Sequence, residues 1–256
     1  MNSFNKHKIE WTSEKIGRFW DFTSKTNVPY FSKQVGANVI SMVGRQLSIR
    51  GPVLDYGSGP GYLLNNLLDM GLDCHGLDIS KTAVDLINTR FKKLPNFKGA
   101  VFNEKMPTPF ESDYFNTIFF LETIEHLSDS RRDEILKELY RITKPGGILV
   151  VTAPNKEDLE AHETICPDCG CIFHSVQHMS SWSEKMLSAM LSRYHFAKIS
   201  CTSLRLEEVL VNDKYKVKEK LLRRILSTIH LLITRTPVKT PPNVNLLYIG
   251  AKEPFE

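Results

Sequence analysis

Hydrophobic positions after residue 50 form short apolar runs, separated by longer runs in which apolar and polar positions alternate with helical spacing. The short runs predict strands, because they alternate along the chain with helical patterns. The seven predicted strands are Val53–Tyr56, Cys74–Leu77, Lys98–Phe102, Thr117–Leu121, Ile148–Ala153, Ala197–Ser203 and Asn245–Ala251. This alternation predicts a doubly wound α/β fold, in which helices cover both faces of a mostly parallel, seven-stranded sheet.

The helical runs divide the chain further. We place helices at Ser32–Leu47, Tyr62–Met70, Arg131–Ile142 and Ser183–Tyr194, so that the first fifty residues hold one helix. An aromatic-rich lead precedes it and either covers a ligand as a lid or packs on the core. The interpretation is a single domain, 1–256, with an N-terminal lead (1–50), a nucleotide-binding core (51–155), a Cys/His insertion (160–182) and a basic helical insertion (205–240).

Composition narrows the class of protein only slightly. The formal net charge of +4 on 256 residues is too small to indicate a nucleic-acid-binding protein by itself. The first ten residues are polar and lack the apolar stretch of a signal peptide, so we expect a cytoplasmic protein. Three of the five cysteines fall within six residues, and in a reducing compartment such clustering favours metal binding over disulfides.

The strongest local signal is the glycine-rich turn that follows the first core strand, in the sequence VLDYGSGPGY at 53–62. Gly57 and Gly59 permit positive φ and a close approach of ligand to backbone, and the next helix offers free N–H groups. Asp78 ends the following strand, where a carboxylate bonds ribose hydroxyls. The spacing is G-x-G-x-G, and Asp55 before it would repel a pyrophosphate but suits the ammonium group of S-adenosylmethionine (AdoMet).

This turn, together with the segments Phe115–Leu127 and Lys144–Leu149, resembles the class I AdoMet-dependent methyltransferases, which have a Rossmann-like fold. The resemblance implies that Asp55 and the glycines line the methionine end of AdoMet, and that Asp78 binds its ribose. It also puts adenine contacts after the second and third core strands. The predicted cofactor-binding residues are Asp55, Gly57, Ser58, Gly59, Gly61, Asp78, Ile79, Asn103, Glu104 and Leu121.

An acidic and histidine cluster, E-x-x-E-H, follows the fourth core strand as Glu122, Glu125 and His126. Three interpretations stay open: these residues brace the AdoMet pocket, or His126 with support from the glutamates takes a proton from a substrate hydroxyl, or all three bind a divalent ion such as Mg²⁺. The pattern is similar to that of small-RNA 2′-O-methyltransferases and of ubiquinone-pathway O-methyltransferases.

The Cys/His insertion has the spacing C-x2-C-x4-H-x3-H, formed by Cys166, Cys169, His174 and His178. Four such ligands suit tetrahedral Zn²⁺, and a closed set predicts a structural site. Cys171 and His162 are alternative ligands; unrelated residues, or a redox disulfide resolved by Cys171, are the other interpretations. A similar stretch occurs in bacterial methyltransferases that resemble glycan or secondary-metabolite enzymes.

The basic stretch 214–239 holds eight Lys or Arg and one Glu. It is either a solvated helix face, a contact to a lipid-linked or anionic acceptor at the membrane surface, or a contact to RNA backbone. Together these features predict an AdoMet-dependent enzyme that O-methylates a small-molecule or a glycan or lipid-linked acceptor. A metal-dependent RNA 2′-O-methyltransferase and a non-catalytic AdoMet-binding protein are the alternatives; nucleic acid is the less favoured partner.

Overall fold

A computed structural model describes residues 5–26, 30–209 and 244–253 of the chain. The ten strands in these residues are β1 (His7–Lys8), β2 (Val53–Tyr56), β3 (Cys74–Asp78), β4 (Phe97–Phe102), β5 (Phe115–Leu121), β6 (Thr143–Pro154), β7 (Glu163–Ile165), β8 (Cys171–His174), β9 (Phe196–Leu204) and β10 (Asn245–Lys252). The six α-helices are α1 (Ser13–Thr23), α2 (Phe31–Gly44), α3 (Tyr62–Asp69), α4 (Lys81–Phe91), α5 (Asp129–Ile142) and α6 (Glu184–Arg193).

Seven strands form the main sheet in the order β4-β3-β2-β5-β6-β10-β9, which confirms the predicted strand number and the mostly parallel arrangement. The first five strands of that order are parallel, whereas β10 is antiparallel to both β6 and β9. The order reverses at β2, since β3 lies on one side of it and β5 on the other. Open α/β sheets bind ligands at such a switch point, outside the carboxyl ends of the strands.

Two hydrophobic clusters cover the two faces of the sheet. One contains apolar residues of α5 and α6, and the other contains those of α2, α3 and α4. Successive residues of a strand enter opposite clusters: Ile118 belongs to the first and Phe119 to the second, and both are fully buried. Burial on both faces explains why the core strands are continuously apolar in sequence.

Helix ends follow local sequence signals. The side-chain oxygen of Ser128 accepts a hydrogen bond from the backbone N–H of Arg131 and caps α5. Gly71 follows the end of α3 with φ of +78°, the left-handed conformation expected just after a helix. The carboxyl end of α5 runs directly into β6, which begins five residues earlier than predicted.

The N-terminal prediction of a single helix is wrong, because the described residues before position 50 contain both α1 and α2. Among the side chains of α1 only Thr23 is buried, although Ile16, Phe19 and Trp20 recur with the spacing of an amphipathic helix. A small sheet in the order β1-β8-β7 was also not predicted, and it joins the N-terminal segment to the Cys/His insertion.

The basic stretch 214–239 and its predicted contacts lie outside the described residues, which include only 205–209 of the predicted 205–240 insertion. Those few residues form a short 3-10 turn at Leu206–Glu208. Within the described ranges, no helix is long and apolar enough to cross a membrane.

Candidate active site

A cavity of about 580 Å³ opens at the carboxyl end of β2, at the switch point of the sheet. Its walls come from the glycine turn, the end of β3, the turn after β5, helix α1 and the segment that follows β8. Among the residues of its lining are Trp20, Tyr30, Asp55, Gly57, Ser58, Gly59, Asp78, Ile79, Asn103, Leu121, Glu122, Thr123, His126 and His178.

The turn needs glycine at two positions, because both have a positive φ. Gly57 has φ of +77°, and a Cβ built there would lie 2.5 Å from Oγ1 of Thr123. Gly59 has φ of +48° and donates its backbone N–H to Oδ2 of Asp78 at 2.7 Å. The turn therefore brings bare backbone to the floor of the cavity and ties it to the end of the neighbouring strand.

Two buried carboxyl groups lie beside this turn. Burial, and then the nearby Asp78, raises the pKa of Asp55 to about 8. Burial raises the pKa of Asp78 to about 6, against the opposing effect of N–H groups donated by Ser80 and Gly59. Carboxyl groups held away from water in this way favour a cationic or hydroxyl-bearing partner. The ammonium group and ribose of AdoMet fit that requirement.

Eight of the ten predicted cofactor-binding residues line the cavity, and Gly61 and Glu104 do not. Gly61 precedes α3 with φ of +79°, and a Cβ there would lie 2.9 Å from Ile87, so this glycine permits close packing against α4. Glu104 is exposed, and its backbone carbonyl accepts a hydrogen bond from Arg131. Gly61 thus serves the packing of α3 against α4, and Glu104 belongs to the loop after β4; neither residue lines the cavity.

The E-x-x-E-H cluster lies in the turn between β5 and α5. Glu122 lines the cavity in a left-handed conformation, with φ of +43°, and its N–H donates to the carbonyl of Thr152. Glu125 is completely buried behind the cavity wall, and neither of its carboxylate oxygens has a hydrogen-bond partner among the described residues. His126 is also buried, and its Nδ1 lies 3.3 Å from the carbonyl of Gln177.

Burial sets the protonation of this cluster. It raises the pKa of Glu122 to about 7 and, with the nearby Glu122, raises the pKa of Glu125 well above its ordinary value. Burial, and then the neighbouring His178, lowers the pKa of His126 to about 3. An imidazole that resists protonation is a weak base, whereas a carboxylate with a pKa near neutrality can both take and release a proton.

The predicted four-ligand zinc set is not brought together. Cys166 and Cys169 lie in the loop that joins β7 to β8, where N–H groups of Cys169 and Asp168 lower the pKa of the Cys166 thiol. His174 ends β8 at the opposite end of that strand, and a strand rises about 3.3 Å per residue. Among the described residues, neither cysteine joins a group of potential ligands, so a closed Cys₂His₂ site is not formed.

The two histidines of the insertion instead meet Glu157, which the sequence analysis missed. Nδ1 of His178 lies 2.5 Å from Oε2 of Glu157, and Nε2 of His174 lies 3.5 Å from its Oε1. The rings of His174 and His178 stack with centroids 4.6 Å apart, and the ring of His178 also lies 4.8 Å from that of His126. The insertion therefore brings His178 to the E-x-x-E-H cluster and His174 to Glu157, and neither histidine joins the cysteines among the described residues.

Gln177 connects this region to helix α1, and it too was missed. Its side chain is fully buried; it accepts a hydrogen bond from Nε1 of Trp20 at 3.0 Å and donates to the carbonyl of His126. The ring of Trp20 meets that of His126 edge-on at 4.8 Å. Gln177 has a positive φ of +64°, which is uncommon for a residue other than glycine, and no sequence pattern predicts this conformation.

The profile of a methyltransferase-domain family matches residues 27–200, which is more than half of the chain. Sterol methyltransferase-like 3 of Botryococcus braunii is 30% identical over 141 residues, covering 52% of this chain and 35% of that protein. Ubiquinone biosynthesis O-methyltransferase of Pelagibacter ubique is 26% identical over 172 residues, covering 61% and 68%. The chain thus spans about a third of the first relative and about two thirds of the second.

The fold of known structures agrees with this assignment. The 1,6-didemethyltoxoflavin-N1-methyltransferase of Burkholderia thailandensis, solved with S-adenosylhomocysteine, superposes with a TM-score of 0.66 at 11% sequence identity. That likeness covers 98% of this chain and 94% of the other. With the family profile, the glycine turn and the acids beside it, the conclusion is that this chain belongs to the S-adenosylmethionine-dependent methyltransferases.

Proposed function

We propose that the chain transfers the methyl group of AdoMet to an oxygen atom of a small-molecule acceptor. One observation carries this proposal: a single cavity is lined both by the acids of the glycine turn and by Glu122. The acids of the glycine turn suit the cofactor, and Glu122 offers a proton acceptor in the same space. Methyl transfer to a hydroxyl needs both, because the acceptor oxygen must lose its proton.

The residues that would hold AdoMet are those that line the floor of the cavity. Asp55 would receive the ammonium group, and Asp78 the ribose hydroxyls, with Ile79 and Asn103 toward the adenine. When bound, AdoMet supplies a sulfonium-activated methyl group for in-line displacement. The chain's own contribution is then to position the acceptor and to remove its proton.

Glu122 is better suited to proton removal than His126, the base favoured by the sequence analysis. Both side chains line the cavity. One oxygen of Glu122, Oε1, is buried without a hydrogen-bond partner among the described residues, whereas Nδ1 of His126 lies against a backbone carbonyl. In this proposal Glu122 therefore takes the acceptor's proton. His126 beside it and the buried Glu125 form part of the cavity wall.

The lining of the cavity supports a ring-bearing or partly apolar acceptor. Trp11, Phe19, Trp20 and Tyr30 line it above the glycine turn. Aromatic faces bind apolar rings and the carbon faces of sugars. The names of two relatives, a sterol and a ubiquinone-pathway methyltransferase, favour small-molecule acceptors as the first class to screen. Phenols, hydroxyquinones and glycans form the first panel.

Calorimetric titration with AdoMet and S-adenosylhomocysteine, beside Asp55→Ala, tests the cofactor. We expect micromolar binding that the variant loses, and acceptor-dependent release of S-adenosylhomocysteine across the panel. AdoMet binding with no turnover on any acceptor would favour the non-catalytic alternative. Turnover on an RNA oligonucleotide, with steep salt dependence, would favour the RNA alternative. No binding to the wild type would contradict the proposal altogether.

A further inference from the structure

Among the described residues that line the cavity, acids outnumber permanent cations. The acids are Asp55, Asp78, Glu122 and Glu134. Arg131 is the one side chain in this described lining that carries a permanent positive charge. A negatively charged acceptor would therefore enter a space whose fixed charges are mostly negative.

The positive charge of Arg131 is already compensated. Its Nη1 donates to Oε2 of Glu134 at 2.8 Å, and its Nη2 donates to the backbone carbonyl of Glu104 at 2.7 Å. A guanidinium group held by a carboxylate and a carbonyl must give up these contacts before it can bind a second anion. Arg131 is thus poorly placed to receive an anionic acceptor.

The two histidines of the lining do not supply the missing cation. Burial lowers the pKa of His126 to about 3, so its ring is neutral. Nδ1 of His178 lies 2.5 Å from Oε2 of Glu157, and that carboxylate would compensate a charge on the ring. A carboxylate or phosphate group in the described part of the cavity would stay unpaired, and an unpaired buried charge is costly.

The opposite feature of the cavity is a wall of fixed aromatic rings. Phe19 meets Trp11 and Trp20 edge-on, with ring centroids 5.8 and 5.3 Å apart, and all three side chains line the cavity. Nε1 of Trp20 also donates to the fully buried side chain of Gln177 at 3.0 Å. Rings that are already held in place bind a flat apolar ligand without a further ordering cost.

Glu122 adds a requirement for a hydrogen-bond donor. Its Oε1 is buried and has no hydrogen-bond partner among the described residues. A hydroxyl group can donate to this oxygen, whereas an ionised carboxylate or phosphate group offers only acceptor atoms. The lining therefore combines an aromatic surface, an oxygen that needs a donor, and an excess of negative charge.

Resting on the proposed function, we propose that the acceptor is an uncharged aromatic molecule whose hydroxyl group meets Glu122, and that the cavity rejects the same molecule once it carries a carboxylate or phosphate group. The aromatic wall contacts the ring of the acceptor. The uncompensated acids exclude its anionic counterparts. This narrows the acceptor to phenol-like compounds and leaves phosphate-linked lipids and nucleotides outside the class.

Pairs of compounds that differ in one charge test the proposal by binding alone. The full chain, saturated with S-adenosylhomocysteine, is titrated by calorimetry with hydroxyphenylacetamide and hydroxyphenylacetate, and with the corresponding hydroxynaphthyl pair. Burial raises the pKa of Glu122 to about 7, so titration at pH 8 keeps it ionised, whereas a phenol of pKa about 10 stays protonated. We expect each amide to bind at least about tenfold more tightly than its carboxylate. Equal binding, tighter binding of the carboxylates, or no binding of either amide overturns the proposal.

Glu122→Gln tests whether the acid in the wall causes the rejection. The substitution removes the negative charge but keeps an oxygen that accepts a hydrogen bond. We expect the carboxylates to bind about tenfold more tightly to this variant than to the wild type, with the amides little changed. Glu111→Gln, an exposed change outside the cavity, is the matched control and should keep the preference of the wild type. An unchanged preference in Glu122→Gln overturns the proposal.

The saturated counterpart of the first amide, hydroxycyclohexylacetamide, tests the aromatic wall. The wild type should prefer the aromatic compound by about tenfold, and Trp20→Leu should lose that preference. Trp20→Phe keeps a ring and should retain part of it. Phe22→Leu is the matched control, since Phe22 lies on the same helix but is 71% exposed and does not line the cavity. Melting curves show whether Trp20→Leu is folded, and Trp11→Leu replaces it if it is not. A preference absent from the wild type, or intact in the folded leucine variant, overturns the proposal.

Failure of this inference can be told apart from failure of the proposed function. A chain that binds no S-adenosylhomocysteine, or that methylates no small molecule, removes the proposed function. Methyl transfer to a carboxylated or sugar acceptor, in preference to the uncharged aromatic compounds, leaves the proposed function standing and overturns only the inference about acceptor class.

Discussion

Asp55 shows how a single residue trades stability for function. Its pKa of about 8 in the fold lies far above the ordinary aspartate value of 3.8, with burial as the main cause. Between these two pH values the folded protein retains a proton that the unfolded chain has lost. The free energy of unfolding contributed by this group therefore falls as pH rises through that window, and the cost is complete above pH 8.

Asp55→Asn should therefore melt at a higher temperature than the wild type when no ligand is present. The gain should be larger at pH 8 than at pH 5, by on the order of 2–4 kcal/mol. The same variant should lose AdoMet affinity, because a neutral amide cannot pair with an ammonium group. Melting curves at both pH values and calorimetric titration check the two effects, with the exposed Glu111→Gln as control. An equal gain at both pH values would contradict the assignment.

Gly57 and Gly71 separate two reasons for glycine. Both have positive φ, but a Cβ at Gly57 meets Oγ1 of Thr123 at 2.5 Å, whereas nothing lies within 4 Å of a Cβ at Gly71. Gly71→Ala should cost about 1–2 kcal/mol of stability, from conformation alone. Gly57→Ala should cost more and also weaken AdoMet binding. Chemical denaturation compares the two; equal losses would show that the contact with Thr123 relaxes freely.

Glu122 is expected to act in turnover and not in cofactor binding. Glu122→Gln keeps the volume of the side chain but cannot take a proton. Its kcat should fall by roughly 10²–10⁴-fold, with AdoMet affinity little changed. Glu134→Gln is the matched control, since Glu134 also lines the cavity but pairs with Arg131 on the surface of α5. A kcat in Glu122→Gln close to that of the wild type would remove Glu122 from proton transfer.

At the scale of elements, helix α1 closes the cavity and is held there by polar contacts. Oδ1 of Asp21 accepts hydrogen bonds from Oγ of Ser80 at 2.7 Å and from the N–H of Thr82 at 3.2 Å, at the start of α4. Trp20 adds the hydrogen bond to Gln177 on the opposite side. The helix is thus attached at both sides of the pocket, with few buried apolar contacts beneath it.

Asp21→Ala should loosen this helix without touching the cavity, because Asp21 does not line it. We expect S-adenosylhomocysteine to dissociate about tenfold faster, a change equivalent to about 1.4 kcal/mol. Stopped-flow displacement measures the rate, and Glu14→Ala, an exposed change on the same helix, is the control. An unchanged dissociation rate would mean that α1 packs on the cavity without closing it.

What the sequence predicts well is what local pattern determines. β2 has the predicted bounds, and the glycine turn with Asp78 forms the cavity floor, because strand, turn and acid follow one another within 26 residues. Helix α1 was missed although Ile16, Phe19 and Trp20 recur with helical spacing; this apolar face lines the cavity and not the core of the sheet. The meeting of His178 with Glu125 was missed because it depends on how an insertion folds back across about fifty residues, which no spacing rule describes.

At the scale of the whole molecule, the cavity joins segments that are otherwise separate parts of the fold. α1, the glycine turn, the end of β3 and the turn after β5 all contribute walls, yet the loop at the tip of the β7–β8 hairpin contributes none. A ligand that contacts several walls at once must be released before any of them opens. Binding therefore stabilises these segments together and leaves the hairpin tip as it was.

Hydrogen exchange with and without S-adenosylhomocysteine tests this coupling. At a ligand concentration of 100 Kd the stabilisation is about 2.7 kcal/mol, so amides whose opening requires release should exchange about a hundredfold more slowly. We expect that slowing in residues 13–23, 57–61 and 122–126 together, with exchange in residues 166–170 unchanged. Slowing confined to the glycine turn would show that α1 moves independently of the ligand. Equal slowing at the hairpin tip would instead show that the insertion is part of the cofactor-binding unit.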